Sequence, residues 1–268
     1  MRGTLTWLLF GMAVWTFGSI PHQADRPDAS SLTAGAELAI AAPDELNSAL
    51  TELAREFEQR TGRRIRFTFA DSASLLKQVQ NGSAFDAVFL PDMNAVRRLA
   101  ASGMVTSTSI TEYARDQMVM CTAPGVRIEM RPGNPLLLLT DRNIPRIAIA
   151  SPQHTDFGKI TVQAFTAVHI YDSRLKRKLV IGENIAEVAR LLEQGDADVA
   201  LLPGSALRVY QLSSLRVLPI ASSLHRPIRK GAAVLRRSKH PRQALEFLKF
   251  AASSDGKAVF RQAGFDEP

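Results

Sequence analysis

The chain has 268 residues, 46% of them hydrophobic and 22% charged, with a formal net charge of +7. That composition excludes a disordered or fibrous chain and leaves room for one large or two smaller domains with a sizeable core. The basic residues are scattered apart from "RLKRK" at 174–178 and "RPIRKGAAVLRRSKHPR" at 226–242. Neither run has interleaved aromatics, so both read as solvated faces, and no nucleic-acid partner is expected. Cys121 is the only cysteine, so no intrachain disulfide can form, and its apolar setting after "MVM" predicts a buried structural thiol.

The amino-terminal segment "MRGTLTWLLFGMAVWTFGSI" carries Arg2 and then an apolar run, followed by a polar, turn-rich stretch. Residues 1–36 are expected to be a secretory signal with a flexible leader, cleaved after Ala24 or Ala36 or kept as an anchor, with the folded part in the periplasm. From Glu37 the pattern is regular. "ELAIAA" predicts a strand, and "PDELNSALTELAREFEQRTG" a helix with Leu46, Leu50, Leu53, Ala54 and Phe57 on one face. Asp44 is the expected N-cap and Gly62 the C-terminal stop. "RIRFTFA" and "FDAVFLP" predict strands, each followed by a helix, "SASLLKQVQNG" and "DMNAVRRLAASG".

The middle of the chain keeps the alternation. "QMVMCTA", "IPRIAIASP", "KRKLVIG", "ADVALLP" and "LRVLPIA" predict strands, with helices over "FGKITVQAFTAV" and "NIAEVARLLEQG". The end reads as the strand "KGAAVLRRS" and two helices broken near Ser253–Gly256, with Pro241 at the first helical position. Alternating strand and helix predicts an α/β chain with mostly parallel sheets. Crossing strands near Met118–Cys121 and Val217–Ile220 predict two lobes: residues 37–117 and 218–268 in the first, 118–217 in the second. Helix starts at the carboxyl ends of strands would then face an interlobe cleft suited to an anion or a small polar solute.

The segments "LAIAA…LNSALTELAREFEQRTG", "FTFADSASLLKQVQNGSAFDAVFLP", "IASPQHTDFG", "GENIAEVARLLEQGDADVALL" and "FRQAGF", in this order and spacing, resemble the periplasmic molybdate-binding proteins of ABC transporters. The resemblance runs from about Glu37 to Phe265 and implies a two-lobe, type II periplasmic-binding fold. It also implies a function: capture of a small oxyanion, molybdate or tungstate, for delivery to a membrane permease, by a monomer without cofactor, bound metal or catalysis.

The resemblance implies that neutral donors wrap the ligand. One serine falls on Ser72, and two backbone N–H donors fall on Phe157 and Ile185. Two positions depart from the family pattern: a serine is replaced by Glu45, and a tyrosine by Pro203. A carboxylate about 4 Å from a unit negative charge costs about 4 kcal/mol at an effective dielectric of about 20. So either Glu45 points out of the cleft, or Asn47 or Ser48 serves instead, or the ligand differs. A different solute, or a role as a ligand sensor, is the alternative reading. A periplasmic enzyme on the same fold is a weaker one, and Glu45 with His154 is its only nominated titratable pair. Ser72 is expected to cap its helix and also contact the ligand. His154 and Asp156 read as loop-ordering or capping groups, because a metal site would need further ligands nearby.

Overall fold

In a computed structural model, the described residues are 35–126, 133–212 and 214–268. The expected leader lies outside them except for Gly35 and Ala36, which open the first strand, so cleavage after Ala36 would fall inside that strand. Residues from Gly35 to Pro268 form one compact unit. No helix among the described residues is long and apolar enough to cross a membrane.

Ten strands build two five-stranded sheets. The first sheet holds β1 (Gly35–Pro43), β2 (Arg63–Ala70), β3 (Ala87–Leu90), β4 (Thr111–Asp116) and β10 (Ile228–Val234), in the order β2-β1-β3-β10-β4. The second holds β5 (Met118–Thr122), β6 (Ile147–Ala150), β7 (Leu179–Gly182), β8 (Val199–Pro203) and β9 (Arg216–Pro219), in the order β7-β6-β8-β5-β9. Only Gln117 separates β4 from β5, so the chain passes between sheets in one residue and returns between Pro219 and Ile228.

Each sheet is mostly parallel, four strands running one way, and is mixed by a single reversed strand. In the first, β1 runs parallel to β2 and β3, but β10 runs antiparallel to β3 and β4. In the second, β6 runs parallel to β7 and β8, while β5 runs antiparallel to β8 and β9. The reason is connectivity: helix crossovers demand parallel neighbours, and the strands that carry the chain between sheets enter from the opposite direction. β4 was not legible as a strand. "TEYARD" alternates poorly, and its extended form is fixed by pairing with β10.

The first sheet is covered on both faces, and its central strands show it residue by residue. Leu38, Ile40 and Ala42 of β1, with Phe89 of β3 and Val234 of β10, face a cluster that includes Leu50, Leu53, Phe57, Phe247 and Phe260. Ala39 and Ala41, Val88 and Leu90, and Ala233 face the other cluster, with Leu75, Val96 and Leu99. This is period-two alternation in strands buried on both sides. The first cluster is closed by α1 (Asn47–Thr61), α8 (Pro241–Ala251) and α9 (Ser254–Gln262), the second by α2 (Ser72–Gln80) and α3 (Met93–Ala101). The second sheet packs with α4 (Asp156–Ala167), α5 (Ser173–Lys176), α6 (Ile185–Glu193) and α7 (Ala206–Val209) around its own cluster. Cys121 is fully buried there, and burial pushes its thiol up to about 12, as befits an inert core group.

Gly62 ends α1 in the left-handed region, φ 69°, with its N–H on the Glu58 carbonyl. Asp44 does not cap this helix. It lies inside a single 3-10 turn, Asp44–Leu46, that precedes α1 and has no side-chain cap. Gly158 lets α4 press against the end of β6: a Cβ there would lie 2.3 Å from the Ala150 carbonyl oxygen and 2.6 Å from the Ser151 carbonyl carbon. Backbone cannot yield as a side chain would. Gly158→Ala is therefore expected to cost about 2 kcal/mol or more, read as a fall of roughly 5 °C or more in the thermal midpoint.

Candidate functional site

Three helix starts carry the expected donors. α2 follows β2 directly, and its cap is Asp71, whose Oδ1 accepts from the N–H groups of Ala73 (3.0 Å) and Ser74 (2.9 Å). The Ser74 hydroxyl donates to Asp71 Oδ2 at 2.5 Å. These bonds hold the Asp71 carboxyl below the usual range, the Ser74 hydroxyl being the largest cause. Ser72 therefore does not cap the helix. It is the first helical residue, half-buried, and its hydroxyl and N–H carry no hydrogen bond among the described residues. A cap one residue earlier leaves Ser72 free for another partner.

α4 is capped by Thr155, whose Oγ1 accepts from the Gly158 N–H at 2.9 Å, leaving the Phe157 N–H unbonded. The Phe157 ring is 8% exposed and belongs to the core of the second sheet. α6 is capped by Asn184, whose Oδ1 accepts from Glu187 N at 2.9 Å, and the Ile185 N–H is likewise unbonded. Glu187 Oε2 reaches back past the cap to accept from Glu183 N at 2.8 Å.

Glu45 is linked to the turn after Pro203 through groups that sequence reading did not single out. Glu45 Oε1 lies 3.4 Å from the ammonium of Lys230 on β10, and Lys230 Nζ lies 3.5 Å from Asp116 Oδ2 at the end of β4. Asp116 then accepts from Ser205, two residues beyond Pro203 on the side of the second sheet: from the hydroxyl at 2.5 Å and the N–H at 3.1 Å. Lys230 and Asp116 are buried, 3% and 7% exposed, and the Phe265 ring lies 5.0 Å from the ammonium. Burial pulls the Lys230 ammonium down, but Glu45 and Asp116 outweigh it and leave it above its ordinary value. Burial raises the Asp116 carboxyl against the opposing pull of Lys230 and Ser205. No sequence-local spacing reveals the array, because its members are far apart along the chain.

Lys230 changes the weight of the Glu45 departure. The carboxylate costs a unit anion about 4 Å away roughly 4 kcal/mol. An ammonium behind it, about 7 Å from the same charge, returns about 2.4 kcal/mol at the same effective dielectric of about 20. Asp116 shares that ammonium and, about 10 Å from the same charge, takes back about 1.7 kcal/mol, so the array stays net negative and most of the penalty remains. Glu45 is half-buried and held by Lys230 rather than turned out to water. Asn47 and Ser48 are exposed on α1, and Asn47 already accepts from Thr51 Oγ1 at 3.2 Å. Tyr210, just after α7, is pushed up to about 12 by burial and by the charges of Glu45 and Asp44. It stays protonated, and its hydroxyl has no hydrogen bond among the described residues.

A second contact joins α3 of the first sheet to α4 of the second. Asn94 Nδ2 lies 3.4 Å from both oxygens of Asp156, which also pairs with Arg226 on the return crossing. Asp156 therefore binds across the gap rather than capping α4. Burial and then the charge of Asp156 raise the carboxyl of Asp92, the α3 cap. Asp156 is held low by Arg226 against its own burial. His154 pairs with Glu183 at 2.7 Å, both exposed, so the nominated Glu45–His154 couple does not form. Among the described residues no group of three or more His, Cys, Asp or Glu could hold a metal ion. An open pocket of about 550 Å³ lies against the carboxyl-terminal half of α4, lined by Gln163, Thr166, Leu224, His225 and Arg226.

Residues 38–266 match the family model described as bacterial extracellular solute-binding protein. The chain belongs to that family. It is 22% identical over 233 residues to the molybdate-binding protein ModA of Azotobacter vinelandii, covering 86% of this chain and 90% of that one. Among solved structures, the periplasmic molybdate-binding protein of A. vinelandii superposes with a TM-score of 0.71 at 19% identity, over 86% of this chain and 99% of that one. PEB3 of Campylobacter jejuni with bound L-phospholactate superposes at 0.68 and 15%, over 86% and 100%. The type II periplasmic-binding fold is thus shared by proteins with different ligands, and the fold alone does not fix the ligand.

Lys230→Met is expected to leave Glu45 and Asp116 without a counter-charge and to cost about 3–5 kcal/mol in urea unfolding, the usual effect of breaking a buried pair. An acid whose folded pKa lies above its unfolded value holds its proton more tightly when folded. For Asp92, stability is then lost as pH rises from about 4 through the folded pKa. Asp92→Asn keeps a capping oxygen, and its unfolding free energy is expected to fall less between about pH 4 and pH 7 than that of the wild type.

Proposed function

We propose that this chain captures a small oxyanion between its two sheets and hands it to the membrane permease of an ABC importer. It acts as a periplasmic monomer and drives closure by binding the closed form more tightly than the open one. The observation that carries this reading is the set of unbonded donors at three helix starts: the N–H and hydroxyl of Ser72 on the first sheet, and the N–H groups of Phe157 and Ile185 on the second. Helix starts offer N–H groups and partial positive charge that suit an anion without a formal cation. Similarity to molybdate-binding proteins suggests molybdate or tungstate as the default ligand. The acidic residue at Glu45 and the loss of a donor at Pro203 favour a different oxyanion within the same site.

Calorimetric titration with molybdate, tungstate, sulfate, phosphate and arsenate tests the reading. At least one is expected to bind one-to-one, and Ser72→Ala is expected to weaken it by about 10-fold to 100-fold, the loss of a hydrogen bond to a charged group. Binding of none of the five overturns the proposed function.

A further inference from the structure

We propose that Glu45 selects an oxyanion that still carries an O–H at neutral pH, such as phosphate or arsenate, over fully ionised ones such as molybdate, tungstate and sulfate. The inference rests on the oxyanion reading above and names the class of ligand for that site.

Three observations support it. First, Glu45 lies on the uncapped turn at the carboxyl end of β1, the end from which α2 also leaves β2. Second, its carboxylate is fixed from behind. Oε1 is engaged by Lys230, itself anchored by Asp116 and, through Asp116, by Ser205 of the other sheet. The other oxygen, Oε2, has no partner among the described residues. Third, Lys230 is shared by Glu45 and Asp116, so the charge repulsion that remains acts on every dianion alike, and hydrogen bonding is left to separate them.

A carboxylate only accepts hydrogen bonds, and a fully ionised oxyanion only accepts as well. Placed together, both lose solvation and gain nothing. Phosphate and arsenate keep at least one O–H through the neutral range, and that group can donate to Glu45 Oε2 while the remaining oxygens take the helix N–H groups and the Ser72 hydroxyl. Molybdate, tungstate and sulfate have no proton to give. Tyr210 supplies the complementary part. It lies half-buried seven residues beyond the donor-less Pro203, and its hydroxyl has no partner among the described residues.

The test is a selectivity series by calorimetry at pH 7, with phosphate, arsenate, molybdate, tungstate and sulfate as probes on the wild type and on Glu45→Gln. Wild type is expected to bind phosphate and arsenate at least 10-fold more tightly than the other three. Glutamine keeps an oxygen for Lys230 and adds an N–H₂ that a fully ionised oxyanion accepts. Glu45→Gln is therefore expected to lose at least 10-fold for phosphate and to gain for molybdate and sulfate. Tyr210→Phe is expected to weaken phosphate and arsenate without reversing the order. Wild type that prefers molybdate, tungstate or sulfate overturns the inference and leaves the oxyanion reading standing. The same holds if Glu45→Gln leaves the order unchanged. Binding of no oxyanion by either protein overturns the function itself.

Discussion

The buried ammonium of Lys230 is the interaction on which the centre of this molecule depends. It sits on β10, the strand that brings the chain back to the first sheet, beside Asp116, the last residue before the chain leaves that sheet. Both crossings are therefore tied at one point. Asp116 extends the tie to Ser205 on the second sheet, and Lys230 extends it to Glu45 on the first. Removing charges from water is costly, and the cost is met only when each group is paired and hydrogen-bonded. That requirement fixes the positions of four side chains from four parts of the chain. Asn94 and Arg226 on Asp156 form a second contact between the two sheets' elements.

A carboxylate in a region that the resemblance fills with neutral donors first reads as a defect. Seen with Lys230 behind it, Glu45 is one of two carboxylates that share an ammonium, and it has an oxygen to spare. Coulomb repulsion then weighs on every dianion alike, and the direction of the hydrogen bond is what separates one from another. The same shift of view applies to Pro203. It has lost a donor, but the turn that follows it supplies Ser205 to the buried array and Tyr210 to the neighbourhood of Glu45.

The helix starts show how a cap decides what a terminus can do. Asp71, Thr155 and Asn184 each satisfy the N–H of the second or third residue of their helices. What remains unbonded is the first or second N–H, at Ser72, Phe157 and Ile185. Had Ser72 been the cap, its hydroxyl would have been spent on its own helix. The capping role was legible as a property of the turn, but its assignment to Asp71 rather than Ser72 depends on backbone angles that a sequence does not carry.

The sequence by itself determined the alternation of strand and helix, the two crossings of the chain and the burial of Cys121. Each of these follows from local periodicity or from a residue's chemistry within a few positions. The sequence also located Ser72, Phe157 and Ile185 at helix starts, because strand-turn-helix boundaries carry their own residue signals. Only the tertiary structure decided that β4 is a strand, that both sheets are mixed, that His154 meets Glu183 rather than Glu45, and that Lys230 meets Glu45 and Asp116. Those outcomes depend on pairings between residues tens to nearly two hundred positions apart. A charge in a strand such as Lys230 reads as solvated until the fold shows which carboxylates surround it.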